Sequence, residues 1–230
     1  MSSLPTPMPS TPLTMFRAIV GIGMLCALLI VGVYAATAER IAKNEAEALR
    51  QAVAAVMPAA TRLRSITIDA NGKIADINAT EISLPAFIGY DDNGTLVGAA
   101  ITAAGMGYQD TIQVIYAYSF DTAAIVGMQV LQSLETPGLG TKIETDPAFI
   151  ANFEKLDVSL NAGGDGLAHP VVTVPHGTKE HPWQIDAITG ATVSSDAIGR
   201  LLDNSAQRWV PVLAGNTVQL RRETAPAETQ

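Results

Sequence analysis

Cysteine is almost missing from this chain. Cys26 alone, in 230 residues, excludes an intrachain disulfide framework and any cysteine-based zinc or iron–sulfur site. Electron chemistry would therefore have to be borrowed from a bound cofactor. Basic residues are few, 14 Lys and Arg against 22 Asp and Glu for a net charge of −8. A nucleic-acid partner needs a basic surface, so none is expected. The three histidines, His169, His176 and His181, fall in one loop beside Pro170, Gly177 and Pro182. Their spacing fits no helical metal motif, and no metal site is expected.

Apolar side chains are abundant, at 48% of the total, more than one soluble domain of this length usually carries. Residues 1–17 are rich in Pro, Ser and Thr and read as a disordered tail. No charge then occurs between Arg17 and Glu39, an uncharged run of about 21 residues, or roughly 32 Å of helix. Residues 18–38 are therefore predicted to form one transmembrane helix. Tyr34 would sit near an interface, and Gly21, Gly23, Ala27 and Gly32 offer small surfaces for another helix. Ala36-Thr37-Ala38 resembles a signal-peptide cleavage site. The apolar run exceeds the usual ~7–15 residues of such a peptide, so a retained anchor is expected. Arg40, Lys43 and Arg50 after the helix outnumber Arg17 before it, a count that puts the C-terminal domain in the cytoplasm.

Residues 39–60 read as a helical stalk, with Ile41, Leu49, Val53 and Val56 on one side and Pro58 ending it. Beyond it the apolar period changes to two. Residues 64–68 and 73–77 flank Asp69-Ala70-Asn71-Gly72, a hairpin signature, and Asp91-Asp92-Asn93-Gly94 precedes a strand at 95–102. Ile112, Val114, Tyr116 and Tyr118 alternate through 111–119, and this strand is predicted to pair with 125–131. A short helix starts at Asp146-Pro147 and is expected to bury Phe149, Ile150 and Phe153. Strands at 171–174 and 183–188 follow. A final helix, with Ile198, Leu201, Leu202 and Trp209 on one face, is predicted to end near Leu213. The fold class is α+β: a single N-terminal transmembrane helix, then a mainly antiparallel sheet domain with flanking helices over 61–215, and a polar tail at 216–230.

Two stretches carry chemistry. Glu135-Thr136-Pro137-Gly138-Leu139-Gly140 leaves the 125–131 strand through a turn dipeptide, and Gly140 permits a close backbone approach to a ligand. It lacks the Lys-Ser/Thr pair of a Walker loop and opens no helix with G-x-G-x-x-G. Gly105-Met106-Gly107-Tyr108 reads as a loop before a strand. The second stretch is Asp186-Ala187-Ile188-Thr189-Gly190-Ala191-Thr192-Val193-Ser194-Ser195, a strand that turns through a glycine into a helix, with Ser194 and Ser195 as N-cap candidates. A helix N-terminus offers unpaired N–H groups and partial positive charge, so a phosphate beside Thr192 needs no Lys or Arg. Hydrolysis by Thr192, Ser194 or Ser195 is not expected, for want of a base and acid in position, and no catalytic residue is assigned. On these residues alone, a membrane-tethered extracytoplasmic binding or scaffold module, with both stretches as structural turns, is the alternative.

Together, E-T-P-G-L-G and D-x-x-T-G-A-T some fifty residues later resemble the FMN-binding domain found in the G subunit of the Rnf electron-transport complex. The same pair occurs in the C subunit of the sodium-translocating NADH:quinone oxidoreductase, and the Rnf protein is the nearer match. The resemblance implies FMN esterified through its phosphate to Thr192. It also implies that Glu135, Thr136, Leu139 and Gly140 border the flavin, and that Thr189, Gly190 and Ala191 present Thr192. Asp186 takes the motif's acidic position, and Ser195 is grouped with the cofactor-binding residues at the helix start. Ser133 stands where many relatives have histidine, and where they often have tryptophan at the start of the following helix this chain has Phe149 or nothing comparable. The implied role is a non-catalytic electron carrier in an ion-translocating ferredoxin:NAD oxidoreductase of the inner (cytoplasmic) membrane, its globular domain extracytoplasmic, against the charge count. Implied partners are other membrane subunits, a second flavin-bearing one among them, and a flavin transferase for maturation, since Thr192 has no evident base of its own.

Overall fold

A computed structural model of the protein describes residues 12–68, 73–76 and 85–222. Two compact units divide the chain, residues 1–48 and 49–230. The first is the greater part of helix α1 (Pro12–Val56), which is 45 residues long, roughly 68 Å at 1.5 Å per residue. Pro12 opens it, a position where the missing N–H costs nothing. Residues 12–17, expected as tail, are helical, and neither Gly nor Pro interrupts the helix between residues 33 and 56. The run expected as a span and the one expected as a stalk are thus one helix. Its apolar side chains from Leu13 to Tyr34 are exposed, with a mean hydropathy of 2.5 over the most apolar window.

The second unit begins with the end of α1 and is built on a seven-stranded sheet. Its strands are β1 (Arg62–Ile68), β2 (Ile74–Asp76), β3 (Ala86–Tyr90), β4 (Leu96–Met106), β5 (Thr111–Ser119), β6 (Ala124–Gln132) and β7 (Leu156–Asp157). They lie in the order β2-β1-β3-β4-β5-β6-β7, and every neighbouring pair is antiparallel. The β5–β6 pairing is the one the alternation implies. β1 and β2 pair as expected, while the turn from Asp69 to Gly72 lies outside the described residues. β4 runs on through Gly105 and Met106, which were expected in a loop; they pair with Ile112 and Thr111.

Both faces of the sheet centre are covered. On one, Ile112, Val114, Tyr116 and Tyr118 of β5 share a core with Ile198, Leu201, Leu202 and Trp209 of helix α4 (Thr192–Gly215). The Tyr116 hydroxyl meets the Ser205 hydroxyl at 2.8 Å, and burial pushes that phenol's pKa up. On the other face, Ile115 and Ala117 pack with Ala52, Val53, Val56 and Met57. The end of the supposed stalk is therefore core, whereas Ile41 is exposed.

Short elements complete the domain. Helix α2 (Lys142–Thr145) precedes α3 (Pro147–Ile150), which Asp146 caps by accepting from the N–H groups of Ala148 and Phe149. Phe149 and Phe153, four residues apart, are buried with their rings edge to face, but Ile150, one residue off that face, is exposed. Strands β8 (Val172–Val174) and β9 (Gln184–Asp186) form a separate parallel pair packed on α4. Helix α5 (Thr217–Arg222) extends into the expected polar tail. Leu220 is buried, and its carbonyl accepts from the Tyr90 hydroxyl at 3.2 Å.

Candidate functional site

Three segments meet at one end of the sheet. The Met106–Thr111 pair closes the β4–β5 hairpin there, and the Gln113–Gln132 pair brings the end of β6 alongside, so the loop after β6 starts next to the turn at 107–110. The third segment is the start of α4. Glu135 ties them together although only 4% of it is exposed. Its Oε1 accepts from the backbone N–H of Tyr108 at 2.7 Å and of Gln109 at 3.1 Å. Its Oε2 accepts from the Ser194 hydroxyl in a short hydrogen bond.

The helix start is shaped by its backbone. Gly190 has φ +84°, a left-handed conformation that favours glycine, and the N–H of Ala191 closes back onto the Ile188 carbonyl. Ala191 is the N-cap residue and contributes no side-chain cap, so α4 begins at Thr192 rather than after the serines. Ser194 and Ser195 are not caps. Both are buried and serve tertiary contacts: Ser195 Oγ donates to the Ala191 carbonyl at 2.9 Å and accepts from Ile188 N–H at 3.1 Å. The first N–H to close a helical bond is that of Ser195, onto Ala191. By helix geometry the N–H groups of Thr192, Val193 and Ser194 have no intrahelical acceptor and lie at the mouth.

Between these walls lies a cleft of about 460 Å³, within the usual range for cofactor sites. Glu135, Thr136, Leu139 and Gly140 line one side, and Gly190, Ala191 and Thr192 the other. Thr192 is exposed, at the first position of the helix. Tyr108, Val193 and Ser194 line the cleft too. The sequence reading missed Tyr108, whose only signal was the glycine pair at 105 and 107, and it gave Ser194 the wrong task.

Asp186 and Thr189 do not join this cleft. They line a separate hollow of about 160 Å³ with Lys142, Asp146 and His176. Asp186 Oδ1 accepts from Gly177 N–H at 2.6 Å, and Oδ2 lies 3.2 Å from His176 Nδ1. Asn152 Oδ1 accepts from the Asp186 N–H and from Lys179 Nζ, anchoring this face. Partial burial holds the Lys179 ammonium pKa below its ordinary value, and the nearby Asp186 charge opposes that shift.

Among the described residues lining the cleft, Glu135 alone is charged, and its two oxygens are already occupied by donors. No Lys or Arg is among them to meet an anion. What the cleft offers a phosphate is an exposed hydroxyl beside three N–H groups at the positive end of a 24-residue helix. Beside that anion position stand the apolar and aromatic side chains of Leu139, Val193 and Tyr108, all half or more exposed. That combination fits a flavin mononucleotide.

Residues 107–207, which span all three cleft segments, match the FMN-binding domain family. The G subunit of the ion-translocating oxidoreductase complex of Methanosarcina acetivorans is 31% identical over 180 residues, covering 77% of this chain and 83% of that protein. This chain belongs to the G-subunit family. A second member, the G subunit of the Na(+)-translocating ferredoxin:NAD(+) oxidoreductase complex of Acetobacterium woodii, is 30% identical over 187 residues, 79% of this chain and 83% of the relative. The chain also shares its fold with the crystal structure of NqrC from Shewanella oneidensis. There the TM-score is 0.55 at 21% identity, over 79% of this chain and all of that one. The C subunit of the Na(+)-translocating NADH-quinone reductase from Parabacteroides distasonis gives 0.53 at 22%, over 67% and 78%.

Proposed function

We propose that this protein carries FMN as a phosphoester on Thr192 and acts as an electron carrier within an ion-translocating ferredoxin:NAD oxidoreductase. The observation that carries the reading is the exposed Thr192 hydroxyl at the first position of α4, opening on the cleft. The ester keeps one negative charge beside the N–H groups of Thr192, Val193 and Ser194, and the helix end stabilises it without a basic side chain. Gly190 lets the backbone turn tightly enough to present that hydroxyl. Bound FMN supplies the capacity to take up and pass on electrons, and the protein contributes placement and environment. The cleft is open and apolar at its rim, which suits exchange with a neighbouring protein's cofactor.

Thr192 has no imidazole among the described residues lining the cleft, and the one carboxylate, Glu135, is held by Ser194 and two backbone N–H groups. Attachment therefore falls to a separate flavin transferase. The partners are the other membrane subunits of an Rnf-type complex, one of them bearing a second flavin. The apolar helix anchors the chain in the cytoplasmic membrane through residues 18–38, and the globular domain stands outside the cytoplasm. Protease access to a C-terminal tag in intact spheroplasts tests that orientation; protection of the tag overturns it.

Thr192→Val keeps the side-chain shape and removes the hydroxyl. In cells with the native maturation system, the wild-type chain gives a flavin-fluorescent band on a denaturing gel and a mass increased by FMN less one water. The variant is expected to give neither. A fluorescent band from the variant places the cofactor elsewhere and overturns the assignment.

A further inference from the structure

Glu135 presents the signature of a lock rather than of a ligand contact. It is nine-tenths buried, and all three of its polar partners belong to the protein: two N–H groups from the β4–β5 turn and one hydroxyl from α4. A carboxylate is purely an acceptor, so it takes three donors with no mismatch. Two glycines close around it. A Cβ at Gly140 would lie 2.6 Å from Glu135 Oε2 and 2.7 Å from its Cβ, and a Cβ at Gly107 would overlap Oε1. The E-T-P-G-L-G loop thus supplies both the acid and one wall of its socket.

We propose that Glu135 is a positioning residue that fixes the start of α4, and with it Thr192, against the other two cleft segments before any cofactor is attached. Within the turn at 107–110 the backbone closes one bond of its own, Gly107 N–H to the Asp110 carbonyl, and Gln109 Nε2 donates to Thr136 Oγ1 at 3.1 Å; the carboxylate is what holds the N–H groups of Tyr108 and Gln109. Ser194 lies two residues from Thr192 on the first turn of the helix, so its bond to Glu135 sets the direction in which Thr192 points. The lock is a property of the bare polypeptide and holds whether or not FMN is the group on Thr192.

Amide hydrogen exchange on the full-length, cofactor-free chain in detergent micelles tests this, because local opening is read segment by segment. Glu135→Ala is expected to speed exchange by about tenfold at Tyr108, Gln109 and Ser195, the first helix N–H to close a bond, the effect of losing one to two well-made bonds. At short labelling times, where local opening dominates, the 112–118 segment of β5 opens only with the whole domain and should stay protected in every variant. Glu135→Gln can still accept two N–H groups and donate to Ser194, so exchange should remain within about threefold of wild type. Gly140→Ala removes no polar group but pushes on the acid, and should reproduce the alanine variant even if that variant fails to fold. Wild-type exchange in Glu135→Ala and Gly140→Ala overturns the proposal. So does a Glu135→Gln variant as fast as Glu135→Ala, or an acceleration spread equally through 112–118. None of these outcomes bears on the Thr192 ester, which the fluorescent band reports separately.

Discussion

Glu135 and Asp186 are the acidic residues of the two motifs, and their surroundings differ. Glu135 is 4% exposed, sits between glycines and meets only neutral donors. The Asp186 side chain is 24% exposed and lies beside His176, itself 59% exposed, and the Gly177 N–H. A buried acid with neutral partners acts through geometry, since removing it strands the buried Ser194 hydroxyl and two part-buried backbone N–H groups. A polar contact this exposed contributes little to stability, because solvent competes for both groups. The two motif acids thus divide, one shaping the cleft and the other sitting in a separate hollow on an outer face of the domain.

The largest effect that could break this contrast is on global stability. Glu135→Ala is expected to lower the unfolding free energy by about 2–4 kcal/mol, from orphaned donors and the space left behind. Asp186→Ala should cost only about 1 kcal/mol, from one backbone bond and an exposed polar contact. Denaturant titration of both variants in the same detergent decides the matter. Equal losses, or the reverse order, would mean that the outer face holds the domain together and the cleft does not.

A smaller effect sharpens the comparison at the turn between the two acids. Ser195 Oγ bonds Ile188 N–H and the Ala191 carbonyl, so it staples the turn from behind. Ser195→Ala leaves the Ile188 N–H buried without an acceptor and should cost about 1–2 kcal/mol. Covalent flavin should still form, because Thr192 keeps its hydroxyl. Loss of the fluorescent band in this variant, at undiminished stability, would make Ser195 part of the attachment chemistry instead of a staple.

Several of these features could be read from the sequence. Strand β5 was legible from one alternating face, and its bounds at Thr111 and Ser119 coincide with those read from that pattern. Asp146-Pro147 announced α3 by its cap chemistry. β3 was not legible: Ala86, Ile88, Gly89 and Tyr90 are all buried, so no alternation marks it, and β7 is two residues long. Gly105 suggested a loop, yet it sits in β4 because Leu201 of α4 packs where its side chain would be, 2.9 Å from an added Cβ. At the site, the residues around Thr192 were legible from motif spacing. The direction of each side chain was not: Asp186 turns toward the histidine loop, and the two serines at the helix start turn inward to buried partners. Such choices depend on what the neighbouring segments present, and local sequence does not carry that.

The smallest effect concerns pH and belongs to the Asp186 face alone. Partial burial disfavours the Lys179 ammonium, so its pKa in the folded chain lies below the ordinary 10.5, with Asp186 pulling weakly the other way. Between those two values the unfolded chain binds the proton and the folded chain has released it, so stability rises as pH climbs through that window. Below the window both states are protonated and the full penalty remains. Lys179→Met removes the titration, so the difference in stability between wild type and variant should drift in favour of wild type as pH rises toward 10.5. A difference that stays flat would show that contacts favouring the ammonium, the 2.9 Å bond to Asn152 Oδ1 among them, offset its partial burial. A drift of the opposite sign would mean that Asp186 outweighs burial, making the outer face a true ion-pair cluster and narrowing its contrast with Glu135.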